Sequence, residues 1–292
     1  MSADATGVIH DLGYQRYDGD RLGRAQIVRT LTVYSLRAAF GLGRGAKAKI
    51  VPVSAFALMC APAIINAFIV ARGGTRAFPY DTYSAPVRMI IMIIFVAVQA
   101  PELVSRDLRS RVLPLYFARP LRRGDYPVAK FTALATACLI MVEVPLLVLY
   151  AGTIASSHGG GAVWAQTRAL LPGLAIGLMW SVTLAVIGLA IASFSGRRAY
   201  TTGAVAIYFF LSLALAEVLI GVAGDGTAGA RLGGLVSPLT VLDGVRQWLG
   251  GTSPGPVPAV GSYGAAYGVM LLALVGAGAA ALAARYRKAG LA

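Results

Sequence analysis

The chain has 292 residues, of which 57% are hydrophobic and only 13% charged, and its mean hydropathy is +0.71. That is far more apolar than a soluble domain and places the chain among membrane proteins. The net charge of +14 would suit nucleic acid only as a basic face on a soluble fold, whereas these cations fall in the gaps between apolar runs.

Residues 1–49 are expected to form a cytosolic N-terminal arm. It opens on a polar, turn-rich stretch, IHDLGYQRYDGDRLGR, after which Val28, Leu31, Tyr34, Ser35, Ala38 and Leu42 recur at helical spacing with Arg29 and Arg37 on other faces. The pattern predicts either an amphipathic helix in the headgroup layer, its arginines toward anionic lipid, or a plain cytosolic helix. A mostly polar arm before the first apolar run argues against a cleaved secretory signal. The first span is expected to direct insertion.

Apolar runs predict six spans, at residues 50–71, 84–103, 128–154, 169–194, 200–223 and 262–284, since about twenty helical residues cover the hydrocarbon core. The second is interrupted: only residues 89–98 are continuous, with Arg88 at one end and Gln99 and Glu102 at the other. Charge requires it all the same, because deleting it would set the cations of residues 72–130 opposite those of the arm. With six spans, twenty of the 26 Lys and Arg fall on one side and six on the other: Arg72, Arg76, Arg88, Arg168, Arg231 and Arg246. The positive-inside rule then puts both termini in the cytoplasm. The transmembrane domain covers residues 50–284, and residues 285–292 form a short cytosolic tail.

The loop after the second span is the most informative stretch. Residues 101–130, PELVSRDLRSRVLPLYFARPLRRGDYPVAK, carry seven cations against Glu102, Asp107 and Asp125, the mark of a cytoplasmic loop. Ser105 is expected to cap a short helix with Asp107 in its first turn, limited by Pro114 and Pro120. In Pro101, Asp107, Arg119-Pro120, Arg123, Tyr126 and Lys130, this stretch resembles the permeases of ABC-2 type ATP-binding cassette exporters. There a second span ends near a proline, a cytosolic coupling helix follows, and an Arg-Pro-x-x-Arg turn and a Tyr-x-x-x-Lys lead into span three. The motif covers about a tenth of the chain, and the order of spans and loop lengths nearly all of it.

The resemblance implies an all-α polytopic membrane protein with six transmembrane helices, an amphipathic N-terminal helix, a cytosolic coupling helix (loop 102–127) and a short outer helix before the last span. It implies a permease in the cytoplasmic membrane, paired with a second copy or a related permease over two ATP-binding cassette ATPases. Glu102, Arg106, Asp107, Arg109, Arg111, Arg119 and Arg123 would dock the ATPase. The chain lacks the G-x-x-x-x-G-K-[ST] pattern that cradles a nucleoside triphosphate. Mg-ATP would therefore belong to the partner, with no cofactor and no enzyme activity in this chain.

The outer loop, residues 224–261, is long. Within it Ser237-Pro238 reads as an N-cap followed by proline at the first helical position, with Leu239, Leu242, Val245 and Leu249 at helical spacing until Gly250-Gly251. About twelve residues make only about 18 Å, too short to cross. The segment is a re-entrant or interfacial helix, or else a cap on the outer surface, and residues 252–260 read as a Pro/Gly linker.

Hydrolytic chemistry finds little support. His10 and His158 fall on opposite sides of the membrane, and no H-E-x-x-H occurs; the G-x-S-x-G string is met only at residues 251–255, where the Pro/Gly linker begins and not at a strand-to-helix turn. Cys60 and Cys138 read as small buried hydrophobes. Glu143 and Glu217 lie within predicted spans, about 20 Å and about 27 Å from their cytosolic starts. Intramembrane carboxylates are costly and mark partners or pathways, so Glu143 either lines the substrate path or is a protonated or helix-bonded carboxyl beside Pro145. Glu217 is placed at headgroups or water, and Asn66 could bond between helices. Gly173 and Gly177 form a small-xxx-small pair that permits close helix approach. Two other function classes stay open, a secondary transporter or channel and a non-transporting docking protein.

Overall fold

The computed structural model describes residues 23–75, 85–110, 121–157, 159–224, 226–250 and 259–289, with Gly19, Tyr80, Pro114, Tyr116 and Val257 placed singly. Among these residues the fold is all-helical: α1 (Arg24–Ala39), α2 (Ala46–Ala71), α3 (Ala85–Arg109), α4 (Asp125–Ala155), α5 (Gly160–Ala192), α6 (Arg198–Ala223), α7 (Ala228–Gly233), α8 (Pro238–Trp248) and α9 (Gly264–Ala289), the last entered by a 3₁₀ turn at Gly261–Tyr263. Six of them, α2 to α6 and α9, are long and apolar enough to cross a membrane. This is a multi-pass membrane protein.

The spans alternate in direction. Gly177 and Gly173 on α5 pack against Glu143 and Leu146 on α4, so those two run antiparallel. Gly188 on α5 meets Val96 on α3 and Gly196 just beyond α5 meets Arg109, while on α9 Gly278 meets Val186 and Arg285 donates to Ser193 O, which makes α3, α5 and α9 parallel. Gly152 meets Ala67, and α2 and α4 share the opposite sense. One end of the bundle therefore gathers α1, the start of α2, the end of α3, the starts of α4 and α6, and the end of α9. We call this the basic end.

The span with the least apolar sequence is the most buried. The apolar stretch of α3 has a mean hydropathy of 1.7 and is 78% buried, against 22% for α2 and α6 and 17% for α9. Protein surrounds α3 where lipid would surround an outer helix, so it can carry Arg88, Gln99 and Glu102, all buried, at positions where hydrocarbon would forbid them. Proline is tolerated inside these spans, at Pro52, Pro62, Pro101, Pro145 and Pro172, because neighbouring helices restrain the backbone.

At Pro101 the structure departs from expectation. α3 does not give way to a separate helix capped by Ser105; it continues to Arg109. Ser105 is fully buried, and its hydroxyl is shared between the Ala192 carbonyl (3.3 Å) and Thr201 Oγ1 (3.4 Å). A residue in mid-helix has no orphan N–H to cap, and its hydroxyl goes to α5 and α6 instead. Residues 111–120, apart from Pro114 and Tyr116, lie outside the described residues, and with them Arg111, Arg119 and Pro120.

Helix α1 buries Leu31, Ser35 and Ala39, four apart on one stripe, while Val33 and Tyr34 stay exposed. It ends as a Schellman motif: Leu42 N–H donates to Arg37 O (2.8 Å) and Gly41 N–H to Ala38 O (3.0 Å), with Gly41 at φ 69°. A side chain at Gly41 would also strike the Ala48 carbonyl, so the turn into α2 requires glycine twice over.

Beyond α6 the chain folds back into the bundle. Gly229 lies against Ala223, Gly233 against Leu219, and Ser237 Oγ is 3.2 Å from Ser212 Oγ, so the chain from Gly229 to Ser237, α7 included, descends along α6 by about 16 Å. Helix α8 then climbs back toward the start of α9, where Trp248 packs on Gly264. The predicted cap is present, with Ser237 Oγ accepting from Leu239 N–H at 3.3 Å. Residues 238–246 are all buried; Leu249, expected on the packed stripe, falls one residue past the helix and is exposed.

Candidate functional site

The charges at the basic end are assigned chiefly to one another. Glu102, whose side chain is 4% exposed, receives Arg44 at 2.7 Å, Arg198 at 2.8 Å and Arg106 at 3.7 Å. Those arginines come from the approach to α2, the first residue of α6 and the next turn of α3. One buried carboxylate thus pins three chain segments, and two of its guanidiniums, those of Arg106 and Arg198, remain more than half exposed.

A second knot lies one turn on. Asp107 accepts from Lys130 Nζ at 2.8 Å and from the Tyr126 hydroxyl at 2.8 Å, through the same oxygen. The Lys130 ammonium also sits 5.3 Å from the centre of the Tyr126 ring, which packs in turn on Tyr116 and Tyr286. Asp107, Tyr126 and Lys130 are residues on which the family resemblance rests, and here they close one polar contact between α3 and α4. A third knot ties α1 to α4: Arg24 donates twice to Asp125, from Nε at 2.6 Å and from its terminal nitrogen, while Asp125 also accepts from Arg122 N–H at 2.8 Å. That hydrogen bonding raises the Arg24 guanidinium above its ordinary range, so it is charged at every physiological pH.

The predicted docking residues divide by position. Glu102 is buried and Asp107 half-buried, both engaged within the protein; Arg106, Arg109 and Arg123 are exposed at the basic end. Between α1 and α3 lies a cavity of about 620 Å³, whose walls include Ser35, Arg37, Arg44, Glu102, Arg106 and Lys130. Arg44, Arg198 and Arg24, absent from the sequence-based site, complete the network. Nothing local in the sequence marks them, because each finds its carboxylate far along the chain.

Deeper in the bundle, Glu143 lies about 27 Å along α4, which begins at Asp125. Both of its carboxyl oxygens are sealed from solvent with no hydrogen-bond partner, and Gly177 on α5 packs directly on one of them. The Arg88 guanidinium of α3 lies within electrostatic reach of Glu143, 5.4 Å from the Trp180 ring, with Arg88 itself 4% exposed. A carboxyl, a guanidinium and an indole from three spans therefore meet inside the apolar body. Glu217 is exposed on α6. Asn66 is buried and donates to Pro62 O in its own helix at 3.0 Å. Cys138 is buried, whereas Cys60 is only partly so. His10 and His158 lie outside the described residues, and among the described ones no three His, Cys, Asp or Glu side chains converge as a metal site.

No protein-family model matches this chain, and no curated protein matches it at a significant level.

Proposed function

We propose that this chain is the membrane subunit of an ATP-driven exporter of the ABC-2 type, working in the cytoplasmic membrane with both termini in the cytosol and with ATP hydrolysed on a separate cassette protein. The observation that carries the reading is the Asp107–Tyr126–Lys130 knot: residues of the resembling motif that are far apart in sequence meet in one contact, beside exposed Arg106, Arg109 and Arg123. Exposed guanidiniums fixed to a rigid base suit a wet, reversible interface, where charge steers the encounter. Because Glu102, Asp107 and Asp125 tie α1, α3, α4 and α6 together at that end, a push on the loop between α3 and α4 would move several helices at once. Two such subunits, or one with a related permease, would enclose the path.

Reversing Arg106 and Arg109 to Glu tests the reading. The variant should insert and fold as the parent does, yet lose co-purification with the ATPase and lose ATP-dependent transport. Undiminished pull-down and transport would remove the docking role. A secondary transporter is the alternative that Glu143 and Arg88 favour, since charges inside the bundle are what such carriers use. Flux of cargo in vesicles without ATP would select it.

A further inference from the structure

We propose that the cleft between α4 and α9 at the basic end is a binding site for an anionic phospholipid, its phosphate held by Arg123 and Arg287 and an acyl chain lying between the helices. The two helices meet through the Tyr126 and Tyr286 rings, 5.1 Å apart and both buried. Beside that contact they part, leaving about 360 Å³ walled by Pro127, Phe131, Val186 and Leu282, with Arg123 and Arg287 among the lining side chains. That volume lies within the range of small-molecule sites.

Three features select the occupant. Charge is the first: both charged residues in the lining are arginines, and no carboxylate is among them. Both arginines are exposed, and a guanidinium fork matches phosphate oxygens two at a time. Depth is the second. Arg123 lies two residues before α4 and Arg287 in the last turn of α9, the level at which headgroups meet the ends of crossing helices. The walls are apolar from there inward, running about 10 Å along α4 from Gly124 to Phe131. The third is access: Val128, in the lining, is 57% exposed, so the cleft opens sideways to a lipid. The site does not depend on the transport reading.

The test uses the purified full chain in detergent, with bound lipid counted by native mass spectrometry after adding dioleoyl phosphatidylglycerol or dioleoyl phosphatidylcholine. Phosphatidylglycerol should be retained about thirtyfold better, the order expected of two cations beside one anionic headgroup. The Arg123→Gln/Arg287→Gln variant should lose that preference. Ala283→Trp, which fills the cleft, should lose bound lipid of both kinds, while Ala277→Trp, on another face of α9, should retain phosphatidylglycerol as the parent does. Equal retention of the two lipids by the parent, or parental retention by Ala283→Trp, would overturn the proposal. Displacement of the lipid by millimolar inorganic phosphate alone would assign the arginines to a free anion and overturn it equally.

Discussion

Replacing Glu102 with Gln keeps the volume at the centre of the basic end and removes the charge that three arginines share. The cost can be apportioned from the geometry. Arg106, at 3.7 Å and 63% exposed, contributes at most about 0.5 kcal/mol as a surface pair. Arg198, at 2.8 Å but 54% exposed, contributes about 1 kcal/mol after solvent screening. Arg44, at 2.7 Å and 26% exposed, holds a charge-assisted bond worth about 1.5 kcal/mol. Relief of the carboxylate's own desolvation offsets part of this, so Glu102→Gln should cost about 2 kcal/mol. For a protein of this size that lowers the unfolding midpoint by about 4 °C, read by heating in detergent and following the loss of the monodisperse peak on size-exclusion chromatography. A double-mutant cycle sharpens the reading: coupling of Glu102→Gln should be largest with Arg44→Gln, smaller with Arg198→Gln and near zero with Arg106→Gln. A midpoint within about 1 °C of the parent, or a coupling to Arg106 as large as that to Arg44, would refute this account of the hub.

Lys130→Met strands the Asp107 carboxylate inside the protein and should destabilise by about 3 kcal/mol, while Asp107→Leu combined with Lys130→Met should cost less than Lys130→Met alone, because an apolar pair replaces an ionic one at little loss; thermal midpoints of the two variants decide. Gly152→Ala sets a methyl against the Cα and Cβ of Ala67, where no side chain can swing aside, and should destabilise by about 1 kcal/mol net of improved helix propensity. Gly177→Ala meets chiefly the end of the Glu143 side chain, which can move, so its midpoint should stay within about 2 °C of the parent; a larger loss from Gly177→Ala than from Gly152→Ala would contradict the packing described. Arg246→Met leaves Asp243 buried without its 2.8 Å partner and should destabilise by about 3 kcal/mol, seen as faster proteolysis of the segment between α6 and α9.

The spans were legible because length and hydropathy are local properties of a chain. Even α3 could be placed, since the charge balance demanded it; what hydropathy could not convey was that its polar residues made it the centre of the bundle. Ser237-Pro238 also read correctly, because a cap and its first turn are contiguous. Ser105 and Asp107 misled for the converse reason: the spacing of a cap and an acidic first turn also occurs within a helix, and partners at Ala192, Thr201, Tyr126 and Lys130 decide between the two. Glu102 shows the limit most plainly. The sequence sets it beside the other docking residues, and only folding brings Arg44 and Arg198 to it. The pair Gly173 and Gly177 was a weak pattern in a chain with 35 glycines, yet it proves to be the surface on which Glu143 and Leu146 rest.

The two ends of the bundle are fastened by different chemistry. The inter-helix bridges of Arg24, Arg44, Lys130 and Arg198 lie at the basic end, while the far end is joined by neutral contacts such as Tyr80 to Gln166 at 3.3 Å and Tyr150 to Thr167 at 2.7 Å. Salt weakens chiefly the exposed members of the first kind, those of Arg24 and Arg198, screens the buried Lys130–Asp107 pair much less, and leaves the second kind untouched. Salt thus loosens this bundle from one side only, like tweezers sprung at the tip and welded at the heel, and amide hydrogen exchange at rising salt should quicken at the starts of α4 and α6 before it does at the close of α4.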